Sequence, residues 1–206
     1  PVFICTYDTD YEKGTYKTKV LNEKNEEIVT GYDTVEAFEN YDVNNNLWYE
    51  SDILKTSKKG KYGVIDFNGK VIVECEYDSI ETLKGLENTL LTKKNGKYGI
   101  IDNVGSIIID NKYTLIKPIS DRYEDGYIVK DDNGKYGVIS YSKSVILENK
   151  YDEIKNVYGN GTYYIVKEDN VWKIVDTDGK EYLKGKYDDI VSINNGNAIV
   201  KNKNKY

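Results

Sequence analysis

Residues 60–80 read GKYGVIDFNGKVIVECEYDSI. Related copies follow downstream, and a weaker one lies upstream, at residues 95–116, 133–154, 171–190 and 15–35. The last tyrosine of the motif recurs at intervals of 36, 38 and 36 residues. These tyrosines are Tyr77, Tyr113, Tyr151 and Tyr187. Because a fixed period of about 20–50 residues is typical of repeat proteins, we predict one tandem array.

Each repeat is predicted to form three antiparallel strands joined by tight turns. The first strand is short and rich in β-branched and aromatic residues, as at 127–131, and Asn-Gly often follows it as a hairpin signal. The second strand carries an aromatic–glycine pair and then two adjacent apolar residues, such as Val64 and Ile65. Neighbours on a strand face opposite sides of the sheet. Both sides of this strand therefore need cover, which predicts that each small sheet packs between its neighbours.

The segment Tyr-Asp-x-Ile closes three of the repeats, at residues 77–80, 151–154 and 187–190. Asp78 and Glu81 have the spacing of a capping box, as do Asp33 and Glu36. Tyr and Ile three residues apart would share one side of a helix. We interpret this segment as a single helical turn leading into the next repeat.

The predicted fold class is therefore all-β, a tandem array of three-stranded antiparallel units in an open, solenoid-like stack. A β-propeller is the alternative, and it ranks second because propeller blades usually have four strands. The predicted units span residues 1–37, 47–83, 88–119, 125–157 and 161–193, with a partial unit at 196–206 and an irregular insertion at 38–51. Since the chain begins without Met and ends inside a repeat, we expect it to be a segment of a longer chain.

Composition excludes several classes of function. The net charge of -6, with lysines scattered among acidic residues, argues against nucleic acid as a partner. No apolar run approaches the roughly 18 residues of a membrane span, so we expect no membrane insertion. Without histidine the chain cannot build a Ser-His-Asp triad or a His-based metal site, and no cofactor motif is present. We predict no catalytic, cofactor-binding or metal-binding residues, and we expect Cys5 and Cys75 to be buried free thiols.

Two acidic stretches have a partial likeness to calcium loops. Residues 42–46 have the opening spacing, but Leu47 replaces the glycine of the sharp turn and Ile53 replaces the final glutamate. Residues 176–179 match a hairpin turn in the other repeats. We interpret both stretches as solvated turns.

The aromatic residues fall into two classes. Those that follow the period are predicted to form the structural repeat motif with their glycines: Tyr62, Gly63, Tyr77, Tyr98, Gly99, Tyr113, Tyr136, Gly137, Tyr151, Trp172 and Tyr187. The others are free to be exposed, where their rings would suit a sugar or a protein partner. These candidate ligand contacts are Tyr41, Trp48, Tyr49, Tyr158, Tyr163 and Tyr164.

The motif GKYGVID followed by a Gly-Lys turn, an apolar strand and Tyr-Asp resembles the WG (KWG) repeat family of bacterial proteins. The resemblance is good over residues 59–193 and weak over 15–35, and it has departures. Tyrosine replaces the family's tryptophan in three repeats, and Lys173 replaces the glycine in the fourth. The family implies an all-β module, mostly of unassigned function, with no catalytic residues to carry over.

For function we expect a non-catalytic scaffold that presents a repetitive β surface to a protein partner. The alternative is a module that binds cell-wall or surface carbohydrate through exposed aromatic rings. We predict no compartment, because the sequence shows no signal peptide and we expect the native N-terminus to lie outside it.

Overall fold

The computed structural model describes residues 1–42, 44–119, 125–155, 163–183, 185–194 and 197–203. The chain divides into two compact units, Pro1–Asn111 and Lys112–Tyr206, and each is described by itself. The regular structure is β-strand, which confirms the predicted all-β tandem array. Within the described ranges there is no helix suited to crossing a lipid bilayer.

The first unit contains three antiparallel sheets, in the strand orders β1-β2-β3, β4-β5-β6-β7 and β11-β10-β9-β8. Their strands are β1 (Phe3–Asp10), β2 (Thr15–Leu21), β3 (Glu27–Val29), β4 (Thr34–Tyr41), β5 (Leu47–Lys58), β6 (Lys61–Asp66), β7 (Val71–Tyr77), β8 (Ser79–Leu83), β9 (Leu86–Lys94), β10 (Lys97–Asp102) and β11 (Ile107–Tyr113).

The second unit repeats this plan, with sheets in the orders β12-β13-β14-β15, β16-β17-β18 and β19-β20. Their strands are β12 (Leu115–Pro118), β13 (Tyr127–Lys130), β14 (Tyr136–Ile139), β15 (Val145–Tyr151), β16 (Glu153–Lys155), β17 (Tyr163–Glu168), β18 (Val171–Asp176), β19 (Asp189–Asn194) and β20 (Asn197–Lys201). Three of the sheets in the two units thus have a fourth strand beside the three that were predicted.

The fourth strand comes from the Tyr-Asp-x-Ile segment, so the predicted helical turn is wrong. β8 starts one residue after Asp78, and Ile80 pairs with Thr92 of β9. The Asp78 carboxylate accepts a hydrogen bond from the N–H of Gly96 at 3.0 Å, in the turn between β9 and β10. An aspartate can satisfy a free N–H in a hairpin turn as well as at a helix start, and here it does the former.

The stretch predicted as an irregular insertion, 38–51, is also different. It forms the far end of a long hairpin in which β4 and β5 pair out to Tyr41 and Leu47. Asp42 closes this hairpin by accepting the N–H groups of Asn44 and Asn46, both at 2.8 Å. The prediction was wrong because the Asn-rich sequence after Asp42 was interpreted as the centre of an irregular loop. It is a tight turn, and β4 and β5 remain paired up to it.

Stacking of neighbouring sheets is visible in the adjacent apolar pair of each second strand. Ile65 belongs to a buried cluster with Val20 and Val29 of the preceding sheet, whereas Val64 belongs to one with Leu90 and Ile101 of the following sheet. In the second unit the pair at 174–175 divides in the same way between two clusters. Each central strand therefore contributes one residue to the core on either side, as its alternation requires.

The aromatic–glycine pair is explained by a bulge in the third strand. A Cβ atom on Gly63 would lie 2.6 Å from the carbonyl oxygen of Val73, and one on Gly137 would lie 2.7 Å from that of Leu147. The register shifts at these points, as expected for a β-bulge that brings backbone against the second strand. In the fourth repeat Lys173 replaces the glycine, and the described residues of its third strand form two isolated bridges with β18, at Glu181 and Tyr187.

Candidate functional site: the β4 groove

An open groove of about 640 Å³ lies beside strand β4 in the first unit. We call it the β4 groove, and residues of β1, β2, β4, β5 and β8 line it. Its apolar floor includes Ile4, Phe38 and Ile80. Three consecutive sheets thus contribute to one cavity, because the edge strand β4 lies next to β2 of the preceding sheet and next to β8 of the following one.

A hydrogen bond and an ion pair link three side chains on one wall of the β4 groove. The Tyr16 hydroxyl donates to the Glu36 carboxylate at 2.5 Å, and the Lys55 ammonium lies 2.9 Å from the other carboxylate oxygen. Burial alone would raise the pKa of Glu36, but the hydrogen bonds from Tyr16 and Lys55 and the charge of Lys55 outweigh burial and lower it. The hydrogen bond to this carboxylate raises the pKa of Tyr16. Glu36 is therefore ionised and held in place at neutral pH.

Two further glutamates are among the residues that line the β4 groove. Glu39 and Glu81 are exposed, and neither makes an ion pair within the described residues. Glu39 lies directly across from Tyr49 in the β4–β5 ladder, and its backbone oxygen accepts a hydrogen bond from the Thr82 hydroxyl at 2.7 Å. These contacts bring β8 against β4, with the Ile80 and Thr82 side chains turned to β4, so alternation turns the Glu81 side chain to the other face of its sheet.

The hairpin tip extends this wall with apolar surface. Tyr41 and Leu47 face each other in the ladder beyond Glu39 and Tyr49. The exposed fractions are 40% for Tyr41, 47% for Leu47 and 52% for Tyr49, so the three side chains form an exposed patch beside the β4 groove. Isolated exposed apolar residues are common, but adjacent ones next to a cavity are typical of interaction surfaces.

The opposite face of the hairpin tip is buried against the next sheet. Asn40 donates to Glu50 at 3.1 Å and to the backbone oxygens of Leu83 and Leu86 at 3.3 and 3.2 Å. Glu50 also accepts the N–H of Asn88 at 3.0 Å, and burial raises the pKa of its carboxyl group. This network anchors the long hairpin, so the tip is held in a defined position over the β8–β9 hairpin.

The candidate ligand contacts have different environments. Tyr49 lines the β4 groove, Tyr41 lies beside it, and Trp48 is half-buried on the opposite face. Tyr164 is only 2% exposed and belongs to a core cluster, so its prediction as a ligand contact is wrong. It follows Tyr163 directly on β17, and alternation turns one of the two inward. Tyr158 lies outside the described residues.

Tyr163 belongs to a second, smaller cavity of about 210 Å³ in the second unit. Its ring centroid lies 4.6 Å from that of Tyr182, and the remaining lining is largely apolar. Among the residues that the structure describes here, those that line this cavity carry no charge, and they include core residues such as Ile174 and Ile193. We interpret it as a gap in the packing of the β18–β19 region.

The residues of the repeat motif are packed to different degrees. Tyr77, Tyr113, Tyr151 and Trp172 are buried, whereas Tyr62, Tyr98, Tyr136 and Tyr187 are half-buried. Lysines of the paired strand cover several of the half-buried rings: the ammonium of Lys93 lies 5.1 Å from the Tyr98 ring centroid, and that of Lys130 lies 4.9 Å from Tyr136. Cation–π contact of this kind is favourable for an aromatic ring at a partly wet position.

The recurring aspartates serve the turns. Asp66 accepts the N–H groups of Asn68 and Lys70, both at 2.8 Å, and Asp176 accepts those of Asp178 and Lys180 at 3.0 and 2.9 Å. The two calcium-like stretches thus have their leading carboxylates engaged in hairpin turns, and Val43 in the first stretch lies outside the described residues. Elsewhere in those residues there is no cluster of three or more His, Cys, Asp or Glu placed to hold a metal.

The cysteines are free, as expected, but both are half-buried rather than buried. Cys75 lies on the bulged strand β7, where its sulfur is 3.4 Å from the Thr56 hydroxyl.

Sequence reasoning missed most of the β4 groove. Tyr16, Glu36 and Lys55 follow no shared pattern: Lys55 pairs with Glu36 across the β4–β5 ladder, and Tyr16 reaches Glu36 only because the first two sheets stack. Glu36 and Glu81 were both interpreted as capping-box residues. The strand alternation of 34–41 was the available signal that could have placed Glu39 and Tyr41 on one face.

Comparison with known proteins supports the repeat assignment. A model for the WG containing repeat matches residues 62–98, 136–172 and 174–206. Comparison with curated proteins gives no match. Among solved structures, the chain is similar at 10% identity to the WD40 β-propeller domain of Doa1, with a TM-score of 0.33 over 80% of this chain and 60% of that chain. It is also similar at 10% identity to dihydro-heme d1 dehydrogenase NirN in complex with DHE, with a TM-score of 0.38 over 83% and 42%.

The chain therefore spans less than two thirds of either of these structures. The family model for the WG containing repeat decides the assignment. Its three matches together include more than half of the residues of the chain, and they fall on the stacked β-sheets. By this match the chain belongs to the family of proteins with WG containing repeats.

Proposed function

We propose that this chain is a non-catalytic binding module and that the β4 groove, with the hairpin tip beside it, is the surface that binds a protein partner. The observation that carries the proposal is the open cavity of about 640 Å³, whose lining combines exposed tyrosine rings with Glu39, an exposed glutamate that has no cationic partner in the described residues. Exposed aromatic side chains are enriched at protein interfaces.

The polar groups of the β4 groove favour binding over catalysis. A general acid or base works best when its pKa lies near the working pH. The pKa of Glu36 is lowered, and both its oxygens are engaged by Tyr16 and Lys55. The chain also has no histidine. Glu36 is therefore suited to orienting and holding a ligand and not to transferring a proton at neutral pH.

Capture of interacting proteins from a cell lysate by immobilised wild-type chain, with mass spectrometry, tests the proposal. The Tyr49→Ala variant should lose the partner while its melting temperature stays close to that of the wild type, because Tyr49 is 52% exposed. Tyr11→Ala is the matched control, since Tyr11 is 92% exposed and does not line the groove. A partner retained fully by Tyr49→Ala would contradict the assignment of the site, and the absence of any specific partner would contradict the function.

Carbohydrate binding is the second candidate, and one observation favours it. Tyr16 and Tyr49 present exposed rings in the same groove as carboxylates, an arrangement that can stack a sugar ring and accept its hydroxyl hydrogens. A glycan array tests this candidate with the wild type and with Trp48→Ala combined with Tyr49→Ala. Loss of a sugar signal in the variant would support it, and an array without signal would remove it.

A further inference from the structure

We propose that the β4 groove takes an aromatic side chain of the partner protein, a tyrosine or tryptophan, in the place that the repeat's own ring fills between other sheets. This inference rests on the proposed protein-binding function and specifies the side chain that the partner inserts. It follows from one position of the repeat, which in the first sheet is occupied by Thr18.

Thr18 stands at the position of the motif's aromatic residue. It lies on β2 directly across from Thr6 of the first strand, two residues before the buried Val20. In three later repeats the aromatic residue likewise lies across from the first strand and two residues before a buried apolar residue. These pairs are Tyr62 with Val64, Tyr136 with Val138 and Trp172 with Ile174. The first sheet therefore has a small hydroxyl side chain where these later sheets have a ring.

In those three repeats the ring packs against the edge strand of the following sheet, at the second residue of that strand. The members that share a core cluster are Tyr62 with Ile80, Tyr136 with Ile154 and Trp172 with Ile190. Val35 is the second residue of β4, and within the described residues its cluster contains no aromatic side chain from β2.

Thr18 contacts Val35 through hydrogen bonds and leaves the volume of a ring empty. Its hydroxyl accepts the N–H of Val35 and donates to the carbonyl oxygen of Val35 at 2.8 Å. Thr18 and Thr6 both line the β4 groove, so the space that a ring would take at this position belongs to the cavity. The core between the first two sheets thus has a place for a ring that β2 does not supply.

The surroundings of this place suit an aromatic ring that carries a hydrogen-bond donor. Tyr16 lies on the same face of β2 as Thr18, its hydroxyl is held by Glu36, and 42% of the residue is exposed. A ring inserted beside Tyr16 would gain about 0.5–1.5 kcal/mol beyond the burial of its area. Glu39, which also lines the groove, can accept a hydrogen bond from a tyrosine hydroxyl or an indole N–H, whereas it would repel an acidic side chain.

Titration of the ¹⁵N-labelled chain, followed by amide chemical shifts, tests the inference with three probes: the N-acetyl amides of tyrosine, tryptophan and leucine. We expect both aromatic probes to bind at least about fivefold more tightly than the leucine probe, because a ring pair adds roughly 1 kcal/mol. The amides of Thr18 and Val35 should shift on binding, since they border the empty place.

Two variants fill the groove from different strands. Thr18→Tyr restores the motif's ring, Thr6→Tyr adds one from β1, and each should weaken binding of the aromatic probes by at least about tenfold. Thr6 is exposed, so Thr6→Tyr keeps the test valid if Thr18→Tyr does not fold. Thr18→Ser retains the hydroxyl and the small volume and should bind like the wild type. Thr15→Tyr is the matched control, because Thr15 is exposed on β2 and is not among the residues that line the groove.

Equal binding of the leucine probe, or an equal loss of binding in Thr15→Tyr, would overturn the inference. Aromatic binding that is undiminished in the variants that fill the groove would do the same. In the capture experiment, a partner retained by Thr6→Tyr and Thr18→Tyr but lost by Tyr49→Ala would overturn the inserted ring and leave protein binding in place. Binding of the aromatic probes without any specific partner would overturn the proposed function and, with it, the partner as the source of the ring.

Discussion

Replacing Gly99 by alanine tests why each repeat carries an aromatic–glycine pair. The added Cβ would lie 2.6 Å from the carbonyl oxygen of Ile109 and 2.8 Å from the backbone nitrogen of Asn111. Both neighbours are backbone atoms, so relief requires a shift of the bulged strand β11. The same shift disturbs the Asn111 side chain, which donates to the oxygens of Thr92 and Lys97 at 3.2 and 3.0 Å.

Overpacking of this kind costs about 1–3 kcal/mol, and the loss of one buried hydrogen bond adds about 1 kcal/mol. We therefore expect Gly99→Ala to lower the free energy of unfolding by about 2–4 kcal/mol, measured by urea denaturation with far-ultraviolet circular dichroism. Gly96→Ala is the control: its φ is +77° and nothing lies within 4 Å of the added Cβ. It should cost only about 1–2 kcal/mol from the left-handed backbone. A Gly99→Ala cost no larger than the control's would refute the close-approach explanation.

Three further predictions concern a core tyrosine, Asp78 in the segment that closes the repeat, and the aspartates of the hairpin turns. Tyr113→Ala should lower the free energy of unfolding by about 3–5 kcal/mol, because Tyr113 is 6% exposed, and a cost below about 1 kcal/mol would mean that this ring is not core. Asp78→Asn should lower the urea midpoint at pH 7, where the hydrogen bonds from Lys61 and Gly96 lower the pKa of Asp78. The lowered pKa of Asp78 in the folded state stabilises the protein at pH values above the pKa of an unfolded aspartate, and this stabilisation is lost as the pH falls through the folded-state pKa. The difference between the urea midpoints of wild type and variant should therefore shrink below about pH 4. A difference that stays constant with pH would contradict this explanation. Millimolar calcium and a chelator should give the same melting temperature, because Asp42 and Asp176 already accept the N–H groups of their turns, and a rise with calcium would show otherwise.

The repeat and its packing were predictable from the sequence because they depend on local alternation. The pair Val64 and Ile65 can be buried on both sides only if a sheet lies on each side, and the clusters on either side confirm this. The turn aspartates were similarly predictable, since Asx turns need only neighbouring backbone.

The fourth strand and the β4 groove could not be predicted on the same basis. Asp78 satisfies an N–H in either a helix start or a hairpin turn, and only its distant partner Gly96 decides between them. The groove depends on contacts between residues of different sheets, such as Tyr16 with Glu36 and Thr82 with Glu39. Such contacts cannot be predicted from the repeat period or from residue spacing, because they depend on how neighbouring sheets pack against each other.

The Asp of the closing segment shows how stacking and sequence are linked. Asp78 lies between two sheets: it is 2.5 Å from the ammonium of Lys61 in β6 and accepts the N–H of Gly96 beyond β9. Asp152 makes the equivalent contact with Lys135 at 2.5 Å. The lysine of one repeat and the aspartate before the next are therefore joined, which explains why both recur in the motif.

Double-mutant cycles on the second strand of one repeat test the stacking most directly. Truncation to alanine of Ile65 with Val20, and of Val64 with Leu90, removes pairs that share a cluster on opposite sides of β6. We expect coupling free energies of about 0.5–3 kcal/mol for both pairs and additivity within about 0.5 kcal/mol for Val64 with Val20. Equal coupling of Val64 to Val20 and to Leu90, or none in any pair, would contradict a core built between neighbouring sheets.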